Sequence, residues 1–270
     1  MKIILSRKGF DSTAGGMASP ILPDGTLLSL PIPDKLSQVT YDDIRYEGVK
    51  YSEILQQLRG EEKQNHWKCH IDPDIRPILE ITEKCIWKPS FGQEKMSLSY
   101  LENREVGEGD IFLFFGWFKQ TEGDFRNGTL KFVKGAPDIH IIYGYLQVDE
   151  IVKDKNEMKK KFPLHPHSVE ERLIEQSNAI FVAKEFLTID KKKKGYGVLN
   201  FSEDRILTKE GCPRSFWKIE EALMPSNTLK DSNKALKDGY LNYLGQWQEM
   251  ILKDNKVSEE WAKKILDINN

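Results

Sequence analysis

The sequence has few of the residues and patterns that define the simplest functional classes. Its 270 residues include three cysteines, Cys69, Cys85 and Cys212, and no C-x-x-C pair. This scarcity argues against a disulfide framework or a zinc ribbon and suits a reducing cytosol. The longest apolar run, residues 111–118, is interrupted by Gly116 and is far too short to span a membrane. We therefore predict a cytoplasmic protein without a membrane segment.

Strong charge of either sign is also missing. The formal net charge is −2, so any contact with nucleic acid must use a local patch rather than the field of the whole molecule. Residues 1–5 are too short to be the core of a signal peptide. The length and the balance of apolar and charged residues fit a globular protein of one large domain or two small ones.

The opening 34 residues contain groups that suit a phosphorylated ligand, although the phosphate-binding patterns G-x-x-x-x-G-K-[ST] and G-x-G-x-x-G are absent. A short apolar strand leads into a loop with two cations, a carboxylate, hydroxyls and paired glycines. Glycines let backbone N–H groups approach an anion closely, and cations supply charge. The candidate nucleotide-binding residues are Arg7, Lys8, Ser12, Gly15 and Gly16, and Asp11 is a candidate catalytic acid, base or ligand. The alternative is a turn-rich connection between strands.

Two histidine-containing segments are candidate metal or catalytic sites. His70, Asp72 and Asp74 occupy alternating positions and would share one face of an extended segment. The alternative is a turn in which aspartates cap backbone amides. His165 and His167 form an H-x-H pair that can chelate one metal ion from one face of a strand. Spacing assigns them no third ligand, and a loop with satisfied imidazoles is the alternative; convergence of both groups with Asp11 would favour a metal-dependent hydrolase.

Aromatic residues interleaved with cations form a further candidate site. Trp117 follows an apolar strand and is close in sequence to several lysines and arginines, and Tyr143 lies on the next strand. Rings can stack on a base while cations meet phosphates, so these residues are candidate nucleotide-binding residues. Aromatic-rich strands also form ordinary protein cores, and this alternative stays open.

Periodicity predicts an α+β fold: a mixed, mainly antiparallel sheet or a partly open barrel, with a helical C-terminal portion. We expect residues 1–215 to form an α/β nucleotide- or base-binding core and residues 216–270 to pack on it. The predicted strands include 111–115, 139–152 and 179–189, and the predicted helices are 51–58, 220–223, 235–244 and 258–268. The C-terminal portion carries Trp217, Trp247 and Trp261.

Several strings in the chain resemble a known family. Residues 5–12 (LSRKGFDS), 20–25 (PILPDG), 70–74 (HIDPD) and 109–118 (GDIFLFFGWF) are similar to the third class of the nucleotide modification associated domains. The likeness covers most of the chain. It implies a link to modified nucleotides and to DNA-modification or phage-conflict systems without naming a reaction.

A second resemblance is local. The Gly-Asp turn at 109–110, its apolar strand and residues 142–148 (IYGYLQV) are similar to the strand pattern of the PUA-like superfamily. That likeness implies an RNA- or base-binding module. The opening loop lies outside this pattern, which indicates an elaborated or different fold.

These observations lead to two functional expectations. The first is an enzyme acting on a nucleotide or nucleic-acid base, either a base-modifying enzyme or a metal-dependent hydrolase that uses a divalent metal. The second is a non-catalytic reader that binds modified DNA or RNA bases in an aromatic pocket. Both expect a nucleotide or nucleic acid as partner; protein partners are left open.

Overall fold

The computed structural model describes residues 1–60, 63–79, 87–174, 177–229, 236–237, 239–243 and 249–268. Its α-helices are α1 (Tyr51–Arg59), α2 (Lys95–Glu102), α3 (Lys155–Lys161), α4 (Glu170–Leu173) and α5 (Lys256–Ile265). The first eight strands are β1 (Ile3–Arg7), β2 (Ser19–Ile21), β3 (Ile32–Pro33), β4 (Arg45–Tyr46), β5 (Val49–Lys50), β6 (Cys69–His70), β7 (Ser90–Glu94) and β8 (Ile111–Glu122). The others are β9 (Lys131–Phe132), β10 (Ile139–Val152), β11 (Asn178–Ala183), β12 (Tyr196–Val198), β13 (Phe216–Trp217), β14 (Leu236–Lys237), β15 (Tyr240–Asn242) and β16 (Glu249–Ile251).

A nine-stranded mixed sheet organises these elements. Its main order is β16-β1-β8-β10-β11-β7, with β12 beside β10 and with β2 and β9 beside β8. Strands β1 and β2 run parallel to β8, and the remaining pairs are antiparallel. The sheet is not closed. The predicted α+β class with a mainly antiparallel sheet is confirmed.

The two long central strands confirm the predictions made from their apolar runs. β8 alternates Phe112 and Phe114 toward one core with Leu113 and Phe115 toward the other. All four side chains are fully buried, because helices and loops cover both faces of the sheet. The neighbouring strand β10 has the predicted bounds, Ile139–Val152. The candidate functional residues lie beside these two strands.

The helical predictions are confirmed in part. Helices α1 and α5 occupy the segments predicted at 51–58 and 258–268, and residues 221–223 form a short 3-10 turn. The helix predicted for 235–244 is wrong for its described residues, which form β14 and β15. Cross-strand pairing with β13 outweighs helical periodicity there, since the Tyr240 ring stacks on Phe216 with 4.2 Å between ring centres.

The C-terminal residues are joined to the main sheet. β16 pairs with β1, and the rings of Trp217 and Trp261 belong to the same buried cluster as Ile3 and Leu113. The described residues do not include Cys85, Trp247 or the two ends of the segment predicted as a helix at 235–244. Among the described helices, none is long and apolar enough to cross a bilayer.

Candidate functional site

Two neighbouring cavities adjoin the loop that follows β1. The first, which we call the polar cavity, has a volume of about 390 Å³ and is lined by charged groups from β1, β7, the β3 and β6 region, and α4. The second, which we call the aromatic cavity, has a volume of about 290 Å³. It is lined by Phe10, Ser12, Trp117, His140, Arg214, Ser215 and Tyr243. Arg7 and Asp11 line both cavities and so form a shared wall.

A cluster of His70, Asp72 and His167 lies in the polar cavity. One potential ligand atom from each residue lies within 4.8 Å of the others, and Nε2 of His70 is 3.7 Å from Oδ2 of Asp72. The cluster thus joins one predicted histidine-aspartate segment to one member of the H-x-H pair. Two imidazoles and a carboxylate are a donor set that suits a first-row transition metal.

Strand pairing positions His70. Ile32 on β3 lies opposite His70 on β6, and this brings Asp34, just after β3, beside the imidazole. Nδ1 of His70 is 3.0 Å from Oδ2 of Asp34, and Arg172 donates to the same oxygen at 2.9 Å. Burial alone would raise the pKa of Asp34, but hydrogen bonds from His70 and Arg172 hold it well below its usual range. An ionised Asp34 favours a proton on Nδ1, which leaves Nε2 of His70 to face Asp72.

Asn178 orients His167 in a similar way. The side-chain amide of Asn178 donates to the His167 carbonyl oxygen at 2.9 Å, so its Oδ1 atom faces Nδ1 of His167 at 2.7 Å. Nδ1 therefore carries the proton, and Nε2 has a free lone pair. Burial lowers the pKa of His167 well below its ordinary value. Neutral imidazole is the form that binds a metal ion.

Gly92 on β7 lets His167 and Asp72 approach this strand. A Cβ atom at position 92 would overlap the His167 ring, so any larger residue would displace the imidazole. The N–H group of Gly92 also donates to Oδ1 of Asp72 at 2.7 Å. Gly92 thus leaves space for the His167 ring and donates a hydrogen bond to Asp72.

Lys8 neutralises part of the charge of Asp72. Its Nζ atom lies 3.2 Å from Oδ2 of Asp72 and 4.5 Å from the centre of the Phe91 ring. Burial tends to raise the pKa of Asp72, but the Lys8 charge and the His70 hydrogen bond hold it far below the usual value. Lys8, predicted to contact phosphate, is paired with a carboxylate in this structure.

Carboxylates outnumber side-chain cations in the polar cavity. The carboxylates are those of Asp11, Asp34, Asp72 and Glu94, and the cations are Arg7, Lys8 and Arg172. Arg172 pairs with both Asp34 and Glu94, and its Nε atom is 3.3 Å from Glu94. One positive charge is therefore shared by two carboxylates. Burial opposes protonation of His70, but its hydrogen bonds with Asp34 and Asp72 raise its pKa. When both histidines are neutral, as in a metal-bound form, the side chains of the cavity wall carry a net charge of −1, which favours a bound cation.

Asp74 and His165 lie outside the polar cavity. The expectation that Asp74 shares a face with His70 and Asp72 is wrong, because its backbone pairs with Ser90 and its side chain accepts a 2.9 Å hydrogen bond from Trp87. Burial raises the pKa of Asp74 to about 7. It lines a separate small cavity with His165, and burial lowers the pKa of His165 to about 4.

The H-x-H pair is likewise split. Nδ1 of His165 accepts a hydrogen bond from the backbone N–H of His167 at 3.1 Å, which caps the 3-10 turn Pro166–Ser168. The pair was expected to chelate from one strand face. A 3-10 turn instead directs the two rings into different cavities.

The remaining residues of the opening loop build a turn. Oδ1 of Asp11 accepts hydrogen bonds from the backbone and hydroxyl of Thr13 and from the backbone of Ala14, at 2.7–2.8 Å. Burial opposes ionisation of Asp11, but these bonds and Arg7 lower its pKa. Gly15 and Gly16 have positive φ, and Gly15 packs against the Phe10 ring. Neither glycine is among the described residues that line the two cavities, which favours the turn interpretation for them.

Trp117 and Tyr143 lie on opposite faces of the sheet. Trp117 is on the β8 face shared with Phe115, where its Nε1 donates to Asp138 at 2.7 Å. Tyr143 is buried on the other face, with its ring 5.5 Å from that of Phe118. They therefore do not form one base-binding pocket, and Trp117 alone lines the aromatic cavity.

Several residues of the site were not predicted from the sequence. They are Asp34, Gly92, Glu94, Arg172 and Asn178. Asp34 ends a Pro-Ile-Pro-Asp string that indicates a turn, but its partner His70 is 36 residues away. Asn178 begins an apolar strand and resembles an ordinary strand-end residue. Long-range strand pairing, which local patterns do not reveal, brings these groups together.

The fold and site define an α+β protein with a buried cluster of two histidines and one aspartate beside a second, aromatic cavity. A sequence profile of the family described as nucleotide modification associated domain 3 matches residues 2–257. The chain belongs to this family, as the resemblance in its motifs indicated. Neither a curated protein nor a solved structure matches the chain.

Proposed function

We propose that this protein is a metal-dependent enzyme that acts on a nucleotide or nucleic-acid base. The observation that carries the proposal is the convergence of His70, Asp72 and His167 within 4.8 Å. Family membership supports a nucleotide as the substrate class. The wider association with DNA modification or phage conflict stays a prediction.

The surroundings of the cluster favour a metal ion over a simple hydrogen-bond network. Metal-binding histidines usually donate their second ring N–H to a carboxylate or carbonyl group, which fixes the ring. Asp34 provides this partner for His70, and Asn178 provides it for His167. The excess of carboxylates in the polar cavity adds an electrostatic reason for a cation to bind there.

The residues present fit a divalent ion such as Zn²⁺, Fe²⁺ or Mn²⁺. When bound, such an ion supplies Lewis acidity or lowers the pKa of a coordinated water. His70, Asp72 and His167 would hold it, and three protein ligands leave further positions for water or substrate. Asp34 and Asn178 keep the two rings oriented. Arg7, at the shared wall, provides positive charge toward an anionic substrate.

Metal titration tests this proposal directly. Purified protein would be stripped with a chelator and titrated with Zn²⁺, Mn²⁺ and, without oxygen, Fe²⁺, while calorimetry measures affinity and stoichiometry. We expect one site per chain, lost in H70A, D72N and H167A. The matched control is H66A, since the His66 side chain is 67% exposed and pairs with Asp42 away from the cavity.

Two results would count against the proposal. One is a folded wild-type protein that binds none of these ions; the other is unchanged affinity in all three cluster variants. H165A separates the observed cluster from the predicted H-x-H chelate, because it should retain the metal site if the protein remains folded. Circular dichroism and thermal melts would establish that each variant is folded.

A further inference from the structure

The aromatic cavity has a different electrostatic character from the polar cavity. Arg7 and Arg214 both line it, and Asp11 is the carboxylate in its described wall. Arg7 lies 3.6 Å from Asp11, whose other oxygen is already occupied by the Thr13 and Ala14 hydrogen bonds. The wall therefore carries a net charge of +1, which favours an anionic ligand.

Arg214 is held in place before any ligand arrives. Its guanidinium carbon lies 4.0 Å from the centre of the Trp117 ring, and its Nη2 atom donates to the hydroxyl of Ser12. A planar guanidinium fixed in this way can offer its other N–H groups to a phosphate. Because little side-chain freedom is left to lose, phosphate binding there costs less entropy.

Aromatic rings form the rest of this cavity. Trp117 is partly exposed, while the buried rings of Phe10 and Tyr243 provide apolar walls. Nucleobases stack on aromatic rings and on arginine planes. Arg214 already covers one face of the Trp117 ring, so a base would pack against the outer surface of this stacked pair.

His140 lies in the wall of the same cavity. Its side chain is buried in the cavity wall, and Nδ1 accepts a 3.0 Å hydrogen bond from Trp217. The pKa of His140 is lowered to about 3, mainly by burial and to a smaller extent by the charges of Arg214 and Arg7. Arg7, Arg214 and His140 thus line one cavity.

We propose that the aromatic cavity binds the phosphate and base of a nucleotide, with Arg7 and Arg214 at the phosphate and the base packed against the Trp117–Arg214 pair. This inference deepens the proposed function and rests on it for the role of the ligand as substrate. The shared Arg7–Asp11 wall places a nucleotide bound there next to the His70–Asp72–His167 cluster.

To test this proposal without a metal ion, the affinity of the full chain for nucleotides would be measured in the presence of a chelator. The probes are the four deoxynucleoside 5′-monophosphates, the matching nucleosides and a short single-stranded oligodeoxynucleotide. We expect at least one monophosphate to bind about tenfold or more tightly than its nucleoside, because charge-assisted hydrogen bonds are strong. R214Q should remove this advantage, and W117A should weaken binding about tenfold through lost stacking.

Three further variants complete the design. H70A should retain nucleotide binding while losing metal binding. A failure of nucleotide binding in the aromatic cavity is therefore distinguishable from a failure of metal binding in the polar cavity. R126Q is the matched arginine control, since Arg126 is exposed and lies outside the described walls of both cavities. R214K keeps the charge but not the planar fork, and it should bind phosphate more weakly than the wild type.

The outcomes are decisive in both directions. Binding only to the oligonucleotide, with the same dependence on Arg214 and Trp117, supports the cavity and identifies nucleic acid as the source of the nucleotide. Equal binding of nucleosides and monophosphates would overturn the inference. So would full affinity in folded R214Q and W117A, or the absence of binding to every probe.

Discussion

The polar and aromatic cavities share one wall but differ in the charge they present. Four carboxylates against three side-chain cations give the polar cavity an excess of negative charge when its histidines are neutral, whereas two arginines beside one carboxylate give the aromatic cavity an excess of positive charge. A cation is therefore favoured on one side of the Arg7–Asp11 wall and an anion on the other. Such a pair suits the proposed enzyme, in which a metal ion and an anionic substrate would lie side by side.

The largest expected effect comes from Gly92→Ala. The added Cβ would overlap the ring of His167 and move it out of the cluster. We expect metal affinity to fall more than about 100-fold, beyond the loss typical of a supporting residue. Calorimetric titration measures this, with Gly107→Ala as control because a Cβ there meets no atom within 4 Å. Wild-type affinity in folded G92A would exclude His167 as a ligand.

Asn178→Ala tests whether metal binding in the polar cavity depends on the hydrogen bond that orients His167. Loss of the acceptor for Nδ1 should release the His167 ring and weaken metal binding about 10- to 100-fold. Asn178→Asp keeps an oxygen at this place and should retain more of the affinity. Equal losses in the two variants would indicate general destabilisation, which thermal melts would reveal.

His140→Gln tests, through the pH dependence of stability, whether this imidazole is buried and neutral in the wall of the aromatic cavity. The folded-state pKa of His140, about 3, is below its unfolded value near 6.5, so wild-type stability falls as pH drops from about 6.5 toward 3. Between pH 7 and 5 this group should account for about 2 kcal/mol of the loss. Urea denaturation of H140Q should show a decline smaller by that amount, since glutamine can still accept from Trp217. An identical loss of stability in the wild type and H140Q would show that His140 is not the buried neutral group responsible.

Lys8→Met should give the smallest effect and the opposite sign. The ammonium group competes with a metal ion for Oδ2 of Asp72 at 3.2 Å. Its removal should raise metal affinity about tenfold, since nearby like charges repel. The control is Lys35→Met at an exposed position. Weaker metal binding in K8M would show that Lys8 supports the cluster rather than competing with it.

Sequence reasoning reached the correct types of element where local patterns dominate. The apolar run of β8 and the alternation of β10 predicted the central strands, and a helical pattern predicted α1. It failed at 235–244, where the described residues pair with β13 instead of forming a helix. Periodicity is a weak signal for short segments, because neighbouring strands can override it.

The candidate site was predictable as a set of residues but not as a geometry. His70, Asp72 and His167 stood out because imidazoles and carboxylates at short spacing are metal ligands. Their neighbours Asp74 and His165 have the same side-chain types, yet they line another cavity. Loops and 3-10 turns have no fixed alternation, so spacing did not reveal which member of each pair would face the cluster.

The sequence by itself determined the central apolar strands, the family and the supply of ligand-type residues, because these depend on local composition and order. Only the tertiary structure decided that His70, Asp72 and His167 meet, that Asp34 and Asn178 orient them, and that Trp117 and Tyr143 lie apart. These relations join residues far apart in the chain. They arise from strand pairing and from the two faces of one sheet, which no local pattern encodes.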